Sequence, residues 1–186
     1  MKKIILGLAL MYSVFTHSQD TEFVFKRDGF TDFIATKVEN KTQAELYKKT
    51  LEWIAFNYKN PKEALKSQIE NESIRFEGTS NAIVCVNSMG KTFVNAKYEI
   101  EVSFKDGKYK FDLINISTYA APGQYGAGGW TILNLKNMEP FYNKTGEIKP
   151  VYKYYPEMIP VFFNDLNKSL KDFILSDQIP SKKSEW

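Results

Sequence analysis

One dipeptide constrains this chain more than any other feature. Asp106-Gly107 stands between two alternating apolar runs, Lys97–Lys105 and Lys108–Ile116. Asp-Gly at the centre of such a pattern is the signature of a two-residue type I′ hairpin turn, because both central residues need positive φ. A two-residue turn dictates the register. Phe104 must face Tyr109, Val102 must face Phe111, and Ile100 must face Leu113. Every core-facing position then meets an apolar partner. The opposite face carries Glu99, Glu101, Ser103, Lys110 and Asp112, with Glu101 across from Asp112. Like charges placed directly opposite repel, so this face is expected to be solvated.

The remaining elements arrange themselves around this hairpin. Phe33–Val38, within Thr31–Val38, reads as a first strand. Thr42 and Glu45 have the spacing of a capping box and open a helix that runs to about Tyr58. Ala44, Tyr47, Leu51, Ile54 and Tyr58 make its apolar face, and Asn60-Pro61 ends it. Gln68–Glu72 and Ser73–Glu77 read as one strand or two, and Ile83–Asn87 as the next. Residues 118–156 hold four prolines and five glycines and are expected to be irregular, with a short strand within Trp130–Leu135. A last helix is expected from Glu157 to Ser176, with Pro156 in its first turn and an apolar stripe from Ile159 to Ile174. The order β-α-β-β-β-β-α describes an α+β fold. Two one-sided helices pack on one face of an antiparallel sheet and leave the other face wet.

The first eighteen residues belong to a different grammar. Lys2 and Lys3 precede twelve uncharged residues, Ile4–Phe15, and then Thr16-His17-Ser18. Positive charge, a short apolar run and small residues make a cleavable secretory signal. Twelve residues form a helix of only about 18 Å, too short for a hydrocarbon core of about 30 Å. Export to the periplasm or beyond is expected, with no lipid anchor, because no cysteine lies near the cut. No later run is apolar enough to span a membrane. Residues 19–180 then form a single domain with an insertion at 118–156, and 181–186 form a polar tail. Cleavage removes two lysines and leaves 23 Lys+Arg against 22 Asp+Glu. A chain this near neutrality has no electrostatic footprint for nucleic acid.

Asp28-Gly29-Phe30, Asn40–Tyr47, Lys97–Ile100 leading into Phe104–Tyr109, and Gly128-Gly129-Trp130 together resemble an uncharacterised secreted family. It is the domain of unknown function 4468, which has a TATA-binding-protein-like fold. The resemblance spans about residues 28–130. It implies the architecture already read from the pattern, and it implies no activity. Fold does not fix function, so the fold name does not import DNA binding.

The chemistry is bounded mainly by what is missing. The one histidine, His17, lies in the signal, so the mature chain has none. That removes His-based triads, Cys-His dyads and His-ligated zinc. Cys85 is the single cysteine, within the apolar run Ile83–Val86, and reads as a small buried hydrophobe. No cofactor or metal is expected. Glu99, Glu101 and Asp112 could form a glycosidase pair only in a cleft that raises one pKa, which nothing here predicts. Glu70 and Glu72 read the same way. The glycine-rich run 123–129 lacks the Lys-Ser/Thr of a nucleotide loop and reads as a turn that lets Trp130 dock. The insertion carries eight aromatics within residues 119–156. Tyr and Trp join apolar area to a polar tip, which suits interfaces and contacts with sugar or lipid.

Tyr119, Tyr125 and Trp130 are therefore the expected ligand-binding residues. The expected function is a non-enzymatic binding or interaction module of the cell envelope, with a small ligand or an envelope protein as partner. A structural or assembly protein and a carboxylate-dependent hydrolase are the alternatives.

Overall fold

The computed structural model describes residues 22–124 and 126–176. The proposed signal at 1–18, Tyr125 and the polar tail lie outside the described residues.

The central hairpin forms with longer arms than the alternation suggested. In chain order the elements before it are β1 (Phe25–Lys26), β2 (Gly29–Phe30), β3 (Phe33–Lys37), α1 (Gln43–Asn57), α2 (Pro61–Ala64), β4 (Leu65–Ile69) and β5 (Ser73–Asn87). The hairpin itself is β6 (Lys91–Lys105) and β7 (Lys108–Ala120). β8 (Gly129–Ile132), two short 3-10 turns at Glu139–Phe141 and Pro150–Tyr152, and α3 (Tyr155–Leu175) complete the chain. The sheet is antiparallel in the order β3-β7-β6-β5-β4, and β8 also pairs with β7.

The register predicted from the turn is present, but only Gly107 of its two central residues has positive φ (+73°), so the turn is not of type I′. Phe104 faces Tyr109, Val102 faces Phe111, Ile100 faces Leu113, and Glu101 faces Asp112. Beyond Ile100 the pairing shifts by one, so that Glu99 faces Asn115. Ile114 is thus the extra residue of a β-bulge. The bulge keeps Tyr98 and Ile116 as a core-facing pair.

Several boundaries differ from the sequence reading. Ser73–Glu77 and Ile83–Asn87 are two ends of one strand, β5, which has an irregularity between Ser80 and Val84. Gln68 belongs instead to the preceding strand, β4, and residues 70–72 make the turn. The β1–β2 hairpin was not anticipated. Its strands are two residues long, too short to show alternation, and Asn164 of α3 holds the chain at its start through both Phe23 backbone groups (2.7 and 3.1 Å). The buried face of α1 is Leu46, Thr50, Trp53 and Ile54, with Tyr47, Leu51 and Tyr58 at its margin. Ala44 is exposed, contrary to the periodic reading. The helix packs against α3 as well as the sheet, which turns its inner face toward Trp53. The indole N–H of Trp53 donates to Ser169 Oγ at 3.1 Å.

Both long helices lie on one sheet face. Phe76 packs on Trp53 of α1, and Tyr98 packs on Phe163 of α3. The cap at α1 is a full capping box, with Thr42 and Glu45 exchanging bonds at 2.7 and 3.2 Å. The Thr42 N–H and hydroxyl, both donating to the Glu45 carboxylate, hold that carboxyl below its usual range. The hairpin turn contributes as well: Asp106 accepts from the Gln43 N–H (2.8 Å) and Gly107 donates to the Lys41 carbonyl (2.8 Å). The turn that sets the register therefore also fixes where α1 begins. Deeper in, Tyr109 donates to Asn167 Oδ1 (2.8 Å) and Asn167 donates to Thr36 (3.1 Å), which joins β7, α3 and β3. Cys85 is buried, as its apolar run implied.

Candidate functional site

The face away from the helices is open, and its rows follow from the register. Across the middle, Arg75 faces Glu101 and Glu101 faces Asp112. Arg75 donates to Glu101 through Nε (3.1 Å) and Nη2 (2.7 Å), and its Nη1 lies 3.6 Å from Glu99. Asn115 donates to Glu99 at 2.8 Å, and Lys110 pairs with Asp112 at 2.7 Å. The repulsion expected between Glu101 and Asp112 is met by a cation on each. The signal for Arg75 lay in the alternation of Ser73–Glu77, but its position beside two glutamates needed the strand pairing. A hydrolytic acid needs a carboxyl kept protonated in an apolar cleft. These carboxylates sit on an open sheet with cations against them. Among the described residues, no group of three or more Cys, His, Asp or Glu side chains could hold a metal.

At the far end of the same face the chemistry changes. Tyr119, in the last turn of alternation of β7, faces Trp130 of β8. Their ring centroids are 5.3 Å apart, and the residues keep 39% and 46% of their surface exposed. Lys97 of β6 places its ammonium 5.0 Å from the Trp130 ring centroid and 4.0 Å from Glu77. The rings border a groove of about 380 Å³, lined further by Thr79, Ser80, Asn81, Asn95 and Ala96. Ser80 Oγ accepts from the Ala82 N–H. The side-chain amides of Asn81 and Asn95 have no partner among the described residues.

The structure thus brings together two of the three residues singled out from sequence, Tyr119 and Trp130, while Tyr125 lies outside the described residues. It also separates several of the insertion's described aromatics. Phe141, Tyr152 and Tyr155 turn inward, with centroids 5.0 to 5.8 Å apart, and Phe25 joins them. Burial pushes the Tyr155 hydroxyl up to about 12. Tyr119 and Trp130 stay outside. Asn95 lies before Lys97, where the hairpin arm read from sequence begins, and Asn81 lies at the irregularity of β5, between the two strands read from sequence. Had the alternation been followed back to Lys91, Asn95 would have fallen on the face of Lys97 and Glu99.

The glycine run explains how Trp130 reaches its place. Gly128 has φ +69°, and a Cβ there would lie 2.6 Å from the Ala120 carbonyl oxygen. The chain reverses too tightly at that point for any side chain.

Residues 34–119 match the family described as a domain of unknown function (DUF4468) with TBP-like fold. Over those residues the chain is similar to this family. A crystal structure of a DUF4468 family protein from Bacteroides ovatus superposes with a TM-score of 0.61 at 14% identity, covering 80% of this chain and 88% of that one. A TBP-like protein from Parabacteroides distasonis superposes with a TM-score of 0.52 at 16% identity, covering 76% and 90%. At such identities the likeness establishes the fold. No curated protein matches the chain in sequence. The DUF4468 match ends at Tyr119, so Trp130 and the rest of the insertion lie beyond it. No helix among the described residues is long and apolar enough to cross a membrane.

Proposed function

We propose that this protein is an exported, non-enzymatic binding module of the cell envelope, and that it binds through the Tyr119–Trp130 end of its open sheet face. One observation carries the reading. Among the described aromatics of the insertion, Phe141 and Tyr155 are buried and Tyr142, Tyr152 and Tyr154 half-buried, whereas these two rings stay exposed, side by side on paired strands, over a groove. Burying both would remove a large apolar area from water, and a ligand or partner gains that stabilisation where the fold does not. The export half of the reading rests on the order of charge, apolar run and small residues in 1–18.

Native mass spectrometry of the protein recovered from the envelope tests both halves. A covalent mass beginning at Gln19 supports export. A non-covalent adduct retained by the native chain and lost from Trp130→Ala supports the site. The same adduct on Trp130→Ala would sink the site, and an uncleaved chain in the cytoplasm would sink the export.

A further inference from the structure

We infer that the groove takes an uncharged oligosaccharide, stacked on Trp130 and Tyr119 and hydrogen-bonded through Asn81 and Asn95. This rests on the binding-module reading and names its ligand class.

A pyranose ring presents two kinds of surface. Its faces expose C–H groups that pack on an aromatic ring, while its edge carries hydroxyls that each donate and accept. The groove offers the complement of both. Trp130 and Tyr119 supply an exposed aromatic platform on adjacent strands. Asn81 and Asn95 supply carboxamides, each able to donate and accept, and neither is used within the described fold. Thr79 adds a hydroxyl.

The charge of the groove narrows the class further. Among the described residues no carboxylate lines it, and the neighbouring cation, Lys97, is already shared between Glu77 and the Trp130 ring. An anionic ligand would find no uncommitted positive group among those residues. A lipid tail is best accommodated by a deep apolar enclosure that removes most of its surface from water. This groove is open, and amide and hydroxyl side chains stand beside its two rings, which suits a chain that lies across the sheet and enters with part of its length.

The test uses the mature protein and four neutral probes: cellohexaose, xylohexaose, mannohexaose and maltohexaose. Oligogalacturonate and a Tyr/Phe-rich peptide serve as the charged and peptidic comparisons. Calorimetric titration is expected to show saturable binding of at least one neutral probe, with Kd between about 10 μM and 1 mM. Trp130→Ala is expected to weaken it at least tenfold and Asn95→Ala roughly three- to tenfold. Melting temperatures confirm that both variants fold, since both side chains are exposed. Failure of all four neutral probes to saturate at about 5 mM overturns the saccharide assignment. If the peptide or the galacturonate binds instead and Trp130→Ala removes it, the ligand class falls while the site stands. If the neutral probe binds equally well to Trp130→Ala, the site and the ligand class fall together.

Discussion

Tyr98 lies directly across the strand pair from Gly78, and its ring fills the space that a side chain on Gly78 would occupy. The Tyr98 hydroxyl meets that of Tyr58 at 2.7 Å, and a Cβ on Gly78 would also come within 2.9 Å of the Tyr58 ring. A glycine inside a strand normally weakens it. Here it opens the room in which two tyrosines from β6 and the end of α1 share a bond. Gly78→Ala should therefore destabilise the fold by about 1–3 kcal/mol through overpacking. Tyr98→Phe keeps the ring but strands the Tyr58 hydroxyl, at about 1–2 kcal/mol. Urea unfolding measures both. A neutral Gly78→Ala would mean that the ring pair shifts freely.

Alkaline pH should unfold the protein through its buried tyrosines. Burial raises the pKa of Tyr58, Tyr98, Tyr109 and Tyr155 above the ordinary value near 10. The folded chain thus holds protons that the unfolded chain releases above pH 10. Stability is complete below that pH and falls as pH rises above it. Spectrophotometric titration against pH reads out the tyrosine ionisation. These four should ionise only together with the loss of tertiary structure. Free ionisation of all tyrosines near pH 10 in a folded chain would contradict it.

Gly128→Ala should displace Trp130 without unfolding the core. The added Cβ meets the backbone of Ala120 and Pro122, which cannot yield as a flexible side chain can. The turn must open, and with it the seat of β8 on β7. Acrylamide quenching reports this in a Trp186→Phe background, where Trp53 is buried and Trp130 exposed. Quenching of the exposed component should change while the buried component stays protected. An unchanged profile would show that the turn does not position Trp130.

Lys108→Thr should stabilise the protein. Lys108 stands between Lys37 on β3 and Lys105 on β6, three like charges in one cross-strand row. None of the three has an acidic partner among the described residues. Removing the middle charge while keeping a good strand former should add a few tenths of a kcal/mol. The gain should shrink in about 1 M salt, where screening reaches within about 3 Å. A gain that persists in high salt would mean that strand propensity, rather than repulsion, accounts for it.

The sequence alone determined the elements whose signal is local. Asp106-Gly107 set the register from Phe104–Tyr109 to Ile100–Leu113, because a two-residue turn leaves no freedom in what faces what. Thr42 and Glu45 marked the start of α1, because a cap is satisfied within four residues. The stripe from Ile159 to Ile174 marked α3 and its inner face. The aromatics of the insertion are legible as residue types, and Tyr119, Tyr125 and Trp130 are expected at a site on that ground. Only the tertiary structure decided which aromatics face inward, since Phe141 and Tyr155 are buried by contact with Phe25, more than a hundred residues earlier in the chain. It alone placed Arg75 beside Glu101, and Asn81 and Asn95 beside Trp130, because those neighbours lie on different strands. Periodicity tells a residue which face it occupies, whereas its neighbours on that face are chosen by strand pairing and by packing over long sequence separation.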